Sequence, residues 1–196
     1  MRYVVLLRGV NVGGKNKVPM ADLKRCLEGQ GLDDVRTYIQ SGNVVLNSSL
    51  PASEVAARIG QVLPREFDLD RQVLGVVALE EHAYKAVVSQ APDGFGADTD
   101  KYRYYVLFPI GTSTAQAIKE IDTRPGVDSM WQGEVAIYYR LPSLKSPDAG
   151  KSWLTRVAQK PIYQSLTMRN WSTTVKLLHL LEQMPADRRG AKNARG

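Results

Sequence analysis

"VRTYIQSGNVVLNS", residues 35–48, is the stretch on which the fold turns. Val35 to Gln40 and Asn43 to Ser48 are short runs with β-branched and aromatic content, and Ser41-Gly42 between them is a hairpin signal. Upstream, "YVVLLR" (3–8) reads as a strand, and "PMADLKRCLEGQG" (19–31) opens on Pro at a first-turn position and closes on Gly, as a helix does. Downstream, "PASEVAARIGQVL" (51–63) reads as a helix and "QVLGVVAL" (72–79) as a strand. The order is β-α-β-β-α-β. A hairpin occupies the place where a doubly wound protein would have another crossover helix. The expected fold is therefore α+β and ferredoxin-like, a mainly antiparallel sheet with helices packed on it.

The same order recurs further along. After a helix at about Glu80–Ser89, the stretch 91–100 ("APDGFGADTD") combines Pro, Gly and acids without periodicity and reads as a linker. "YRYYVLF" (102–108) is then a strand, "TAQAIKEI" (114–121) a helix, "VDSMWQ" and "EVAIYYRL" a hairpin pair around Gly133, and "KSWLTRVAQ" (151–159) a helix. A last helix, about Asn170 to Gln183, sets Trp171, Val175, Leu178 and Leu181 on one stripe. The expected organisation is two β-α-β-β-α repeats, 1–90 and 101–185, joined by 91–100.

Composition sets bounds on function. At 196 residues and 43% hydrophobic content the chain is an ordinary globular one. The single Cys26 excludes an intramolecular disulfide and, beside Leu23 and Leu27, reads as a buried thiol rather than a nucleophile. The apolar run Tyr3 to Leu7 is too short for a signal core or a membrane span, so the expectation is a cytoplasmic protein without a membrane partner. Of the net charge of +6, half sits in "PADRRGAKNARG" (185–196), where four basic residues face one acid; residues 186–196 are expected to form a disordered basic tail. Oligomeric state is not legible.

"RGVNVGGKNKVP" (8–19) joins the first strand to the first helix. Gly9, Gly13 and Gly14 permit positive φ and close backbone approach to a ligand, Lys15 and Lys17 add charge, and a helix start offers free amides and a positive dipole end. With Pro19 as the first helical residue, Val18 precedes it and cannot cap those amides with its side chain. A solvated loop also fits, with Asp22 complementing the dipole. The loop is no Walker motif, since Asn16 follows Lys15 and no Gly lies five residues before Lys15; "GKS" at 150–152 fails likewise. In the hairpin, Gln40, Ser41 and Asn43 offer more hydrogen-bonding capacity than a turn requires, although this hairpin is expected at the sheet end opposite the Arg8 loop. "KYRYYVLF" (101–108) partly matches the aromatic strand of an RNA recognition motif, with Tyr102 where that module has glycine; packing of these rings in the sheet is the competing account. His82 and His179 lie far apart, no cluster has zinc-ligand spacing, and neither a nucleophile elbow nor a cofactor motif is present.

Three stretches, "RGVNVGGKNKVPM", "YIQSGNVV" and "TMRNWSTTVKL", together resemble an uncharacterised bacterial family, a domain of unknown function with R-G-[VI]-N-V-G-G, Q-S-G-N and T-x-R-N-W-x-T motifs. The resemblance spans about residues 2–182 and implies a compact α+β fold of repeated units. It lends no activity and no catalytic residues. In the third stretch Arg169 stands at an expected helix start, where its positive charge is unfavourable, so it calls for a carboxylate or phosphate, and Asn170 is an expected cap. The functional expectation is non-catalytic binding of a phosphate-bearing ligand, nucleic acid or nucleotide. Its site residues are Arg8, Asn11, Gly13, Gly14, Lys15 and Lys17, with Gln40, Ser41, Asn43, Arg169 and Asn170. The alternatives are an enzyme acting on a small anionic substrate in a cleft between the repeats, with Arg8 and Arg169 as clamps and Gln40, Ser41 and Asn43 as orienting groups, and a structural interaction protein with no ligand. No metal or cofactor is expected.

Overall fold

The computed structural model describes residues 1–70, 74–157 and 160–185, so the expected tail at 186–196 lies outside the described residues. The chain forms two compact units: Met1–Lys85 with the chain from Lys176 on, and Ala86–Val175. The fold class is α+β, two four-stranded antiparallel sheets with helices packed on them.

In the first unit the elements run β1 (Arg2–Arg8), α1 (Met20–Gly29), β2 (Asp33–Tyr38), β3 (Asn43–Asn47), α2 (Ala52–Glu66) and β4 (Gly75–Glu80). The sheet order is β2-β3-β1-β4, with every neighbouring pair antiparallel. β1 is a central strand whose residues Tyr3 to Leu7 are all buried, which is why its sequence is a continuous apolar run instead of an alternating one. Helix α1 turns Leu23 and Leu27 onto this sheet, and α2 adds Val55, Ile59, Val62 and Leu63, the i, i+4, i+7, i+8 stripe of an amphipathic helix. One side chain fastens the start of the unit to its later segments. Arg2 grips Glu81 in a two-pronged ion pair, 2.7 Å for each bond, at the start of α3 (Glu81–Ser89), and donates to the Met184 carbonyl.

The second unit repeats the order with β5 (Tyr102–Pro109), α4 (Thr114–Ala117), β6 (Ser129–Gln132), β7 (Ile137–Pro142), α5 (Pro161–Gln164) and β8 (Leu166–Asn170); its sheet order is β6-β7-β5-β8. Here the structure corrects the sequence in three places. "KSWLTRVAQ" is no α-helix: among its described residues it makes a 3-10 turn at Trp153–Thr155, after another at Ala149–Lys151. "TMRN" is the fourth strand β8 and not a helix start. The last helix, α6 (Trp171–Glu182), buries Leu177 and Leu181 while Val175 is 40% exposed, so its apolar stripe is turned from the one expected.

A buried carboxylate replaces the missing helix. Asp128, 5% exposed, accepts bonds from the Trp153 amide (2.6 Å), the Tyr139 hydroxyl (2.7 Å) and the Arg124 amide (2.6 Å), which pins the 3-10 segment to the sheet and lets Trp153 fill the core. Burial and the Asp128 carboxylate both hold the Tyr139 hydroxyl above its ordinary range, so it stays a donor. On the other face Phe95, from the segment expected as a linker, meets Tyr104, Trp131, Tyr138 and Trp171 edge-on with centroids 5.0, 6.1, 5.4 and 5.2 Å away. Tyr138 and Tyr139 are therefore packing residues.

Two substitutions test this reading. Gly42 has φ +70°, and an added Cβ would lie 2.7 Å from Leu7 Cβ and 2.7 Å from Val10 Cγ2. Gly31 has φ +77° with open space around it. Urea unfolding should therefore show Gly42→Ala costing about 2–5 kcal/mol, left-handed strain plus overpacking, and Gly31→Ala only about 1–2 kcal/mol. Equal costs would remove the steric role of Gly42. Asp128→Ala strands three donors and should cost about 2–5 kcal/mol in the same assay; a change below about 0.5 kcal/mol would show that the carboxylate does not hold the segment.

Candidate functional site: the loop after the first strand and the first hairpin

A β-α-β crossover makes β1 and β2 point the same way, so the C-terminal end of β1 and the β2–β3 turn share one end of the sheet. The structure thus overturns the expectation that the Arg8 loop and the Gln40 hairpin lie at opposite ends. Leu6 pairs with Asn43, and the Leu7 amide donates to the Gly42 carbonyl at 2.7 Å.

Asn11 binds the two segments together. Its Nδ2 donates to the carbonyls of Val18 and Gln40, 2.9 Å each, and its Oδ1 accepts from the Val18 amide at 2.8 Å. Between Asn11 and Asn16 the chain makes a miniature hairpin: the Asn11 amide bonds to the Asn16 carbonyl, and Val12 bridges Lys15. At its tip Gly13 and Gly14 have φ of +58° and +77°, the paired positive angles of a tight hairpin turn, with nothing near their Cα hydrogens. Asn16 ties the base of this finger inward, Nδ2 to the Gly9 carbonyl at 2.7 Å and Oδ1 to the Asp70 amide at 3.0 Å. Both asparagines hold left-handed backbone angles, +55° and +49°, which their short polar side chains tolerate.

What this scaffold presents outward is cationic and apolar. Lys15 and Lys17 are exposed, as are Val12 (66%) and Ile39 (51%) on the adjoining turn. Sequence reasoning passed over Val12 and Ile39; the signal was there, in single apolar residues set inside otherwise polar loops. Helix α1 has Pro19 as its N-cap, with no side-chain cap. Pro19 has extended backbone and the helix starts at Met20, a correction to the expectation that Pro19 is the first helical residue, and the Val18 amide before it is served by Asn11. The amides of Met20, Ala21 and Asp22 have no protein acceptor among the described residues. Asp22 itself pairs with Arg25.

The polar hairpin is spent largely on its own turn. Asn43 is fully buried, and its Nδ2 donates to the Tyr38 carbonyl at 3.1 Å and to Ser41 Oγ at 2.8 Å. Gln40 contributes its carbonyl to Asn11 and keeps an exposed side chain. Arg8, half-buried, ends β1 opposite Gly75. Arg169 and Asn170 belong to the other unit. Arg169 lies within β8, 7% exposed, and its Nη1 donates to Thr167 Oγ1 at 2.9 Å and the Met168 carbonyl at 2.7 Å. The Asn170 carbonyl accepts from Thr174 Oγ1 at 3.1 Å. The loop residues line neither of two depressions in the first unit. One, of about 560 Å³, runs along Asp22, Arg25, Cys26 and Phe67; the other, of about 290 Å³, runs along Arg2, Glu81 and Lys85. Burial and the Glu66 carboxylate push the Cys26 thiol up, which keeps it protonated and a poor nucleophile.

Among the described residues no helix is long and apolar enough to cross a membrane. No curated protein matches the chain. Among solved structures it is similar to the conserved bacterial protein SP0830 from Streptococcus pneumoniae, at 27% identity and a TM-score of 0.79, over 92% of this chain and 98% of that one. A family model described as "protein of unknown function (DUF1697)" matches residues 1–138, well over half the chain, and the chain therefore belongs to that family.

Proposed function

We propose that the chain binds a phosphate-bearing partner, nucleic acid or nucleotide, without catalysing its conversion, through the finger at residues 11–17 and the start of α1. The observation that carries this reading is a division of labour. The loop's neutral polar side chains, Asn11 and Asn16, are spent on the backbone, while its two cations, Lys15 and Lys17, are exposed without an ion-pair partner among the described residues. A loop needed only to join β1 to α1 has no use for two unpaired cations on so constrained a base. Phosphate oxygens would satisfy those ammonium groups and the acceptor-free amides of Met20 and Ala21 together.

Such a finger protrudes, and so suits a polyanion that lies across it better than a small ligand that must be enclosed. The net charge of +6 favours the same partner through long-range attraction. A cytoplasmic setting goes with this reading, supported by the single cysteine and its half-buried environment.

Fluorescence anisotropy with single-stranded RNA and DNA tests it. Binding should weaken steeply between about 50 and 200 mM salt, and Lys15→Ala with Lys17→Ala should lower the logarithmic salt slope by about 1.4, two phosphates at about 0.7 each. Absence of binding at roughly tens of micromolar protein at the lower salt, or an unchanged slope in the double variant, refutes the reading. A second check uses the anion alone. Inorganic phosphate soaked into crystals should lie against the α1 amides, and Gly14→Val, which forbids φ +77°, should remove it.

A further inference from the structure

We infer that the second sheet carries a stacking site for an unpaired nucleobase, formed by Tyr102, Arg140 and Trp131. The inference rests on the nucleic-acid reading above and adds to it the part of the ligand that is not phosphate.

Strand register puts the three on one face. Arg140 opposes Tyr104 on the central strands, Trp131 opposes Tyr138, and Tyr102 shares the alternation of Tyr104. The other face, with Leu107, Tyr139 and Leu141, is covered by Ala117 of α4 and Ile162 of α5. On the face in question Phe95 covers only the middle: Tyr104 is 8% and Tyr138 3% exposed, whereas Tyr102, Trp131 and Arg140 remain partly open.

Arg140 lies in this opening. Its guanidinium carbon lies 4.5 Å from the Tyr102 ring centroid and 5.5 Å from that of Trp131, and Nη2 donates to Ser129 Oγ at 3.1 Å. Two rings and a hydroxyl thus fix a planar cation whose remaining N–H groups require acceptors. Arg140 covers the ring faces turned toward it, so a base would stack on the exposed remainder of the Tyr102–Arg140–Trp131 group and accept from the guanidinium N–H groups through its ring nitrogens or carbonyls. In a duplex the faces of a base are hidden by the neighbouring pairs, so the strand must be single. Asp98, whose carbonyl accepts from the Tyr102 amide, is already paired with Lys101 at 3.1 Å.

The experiment compares two single-stranded oligonucleotides of equal length and equal phosphate count, one with bases and one abasic. The base-bearing strand should bind about tenfold more tightly to the full chain. Trp131→Ala and Tyr102→Leu should each reduce that ratio towards one while leaving affinity for the abasic strand unchanged, and Trp131→Phe should restore it. Lys15→Ala with Lys17→Ala should weaken both strands alike and keep the ratio. Equal binding of the two strands by the unaltered protein overturns the stacking site and leaves the phosphate reading intact; binding of neither overturns both. Should Trp131→Ala weaken both strands equally, with a lowered melting temperature, Trp131 is a packing residue and the site is rejected.

Discussion

One side chain, that of Asn11, decides how the first unit ends. It serves three backbone groups at once, the amide and carbonyl of Val18 and the carbonyl of Gln40, at 2.8 to 2.9 Å. Each would otherwise seek water at a crowded sheet end where Val18 and Gly42 are buried, at a cost of about 1–3 kcal/mol for any left unmet. Because Asn11 reaches Gln40, the loop after β1 and the turn after β2 are one structure. The close approach of Gly42 to Leu7 and Val10 depends on the same arrangement: a Cβ at position 42 would separate the turn from the strand that Asn11 draws it against. A finger whose base is held in this way can carry exposed cations at fixed positions, which the flexible alternative, a solvated glycine loop, cannot.

The second unit solves the corresponding problem with a carboxylate. Its strand order matches that of the first, but α4 and α5 have four residues each against 10 and 15 for α1 and α2. Less helix leaves more backbone to satisfy, and the buried Asp128 carboxylate takes three donors, two of them amides. Glycine supports the opposite face. Gly96, at φ +90°, lies so close to Trp171 that a Cβ there would fall 2.2 Å from the indole. Trp171 and Phe95 can meet only because that position has no side chain, and their packing leaves the Tyr102–Arg140–Trp131 edge as the uncovered part of the face.

The α+β class and the first six elements were legible because local signals and tertiary demand agree there: turn chemistry at Ser41-Gly42, helical spacing in 52–66, an apolar run for a strand buried on both faces. Where they disagree, the sequence misleads. "TMRN" carries two residue types that suit a helix start, Thr167 and Asn170, and nothing local shows that Arg169 instead donates to Thr167 inside a strand where the two are 7% and 3% exposed. "KSWLTRVAQ" has helical spacing, but its geometry is set by Asp128, 25 positions before Trp153 in the chain. The meeting of the two loop motifs needed no long-range contact to foresee, only the direction of the strands. Asn11 reads as a ligand group because an asparagine in a glycine loop looks the same whether its amide points to a ligand or to its own backbone. The lysines have no such internal use, and their exposure follows from their place in a polar loop.

Ile39 shows how much the sheet end tolerates to keep this form. A β-branched residue at φ +46° is a genuine outlier, costing about 1–2 kcal/mol, and its side chain is 51% exposed, so little burial is recovered. The turn must nevertheless bring Tyr38 and Asn43 into register within four intervening residues, and Gly42 already takes one left-handed position at φ +70°. The bonds from Asn43 to Tyr38 and Ser41 and from Asn11 to Gln40 bracket Ile39 on both sides, and together they outweigh its strain. A glycine at position 39 would relieve the strain but widen the unfolded ensemble, so the isoleucine costs less than its angle suggests. Strain held at an exposed position by bonds on either side disfavours other conformations of the turn, because each of them would give up those bonds.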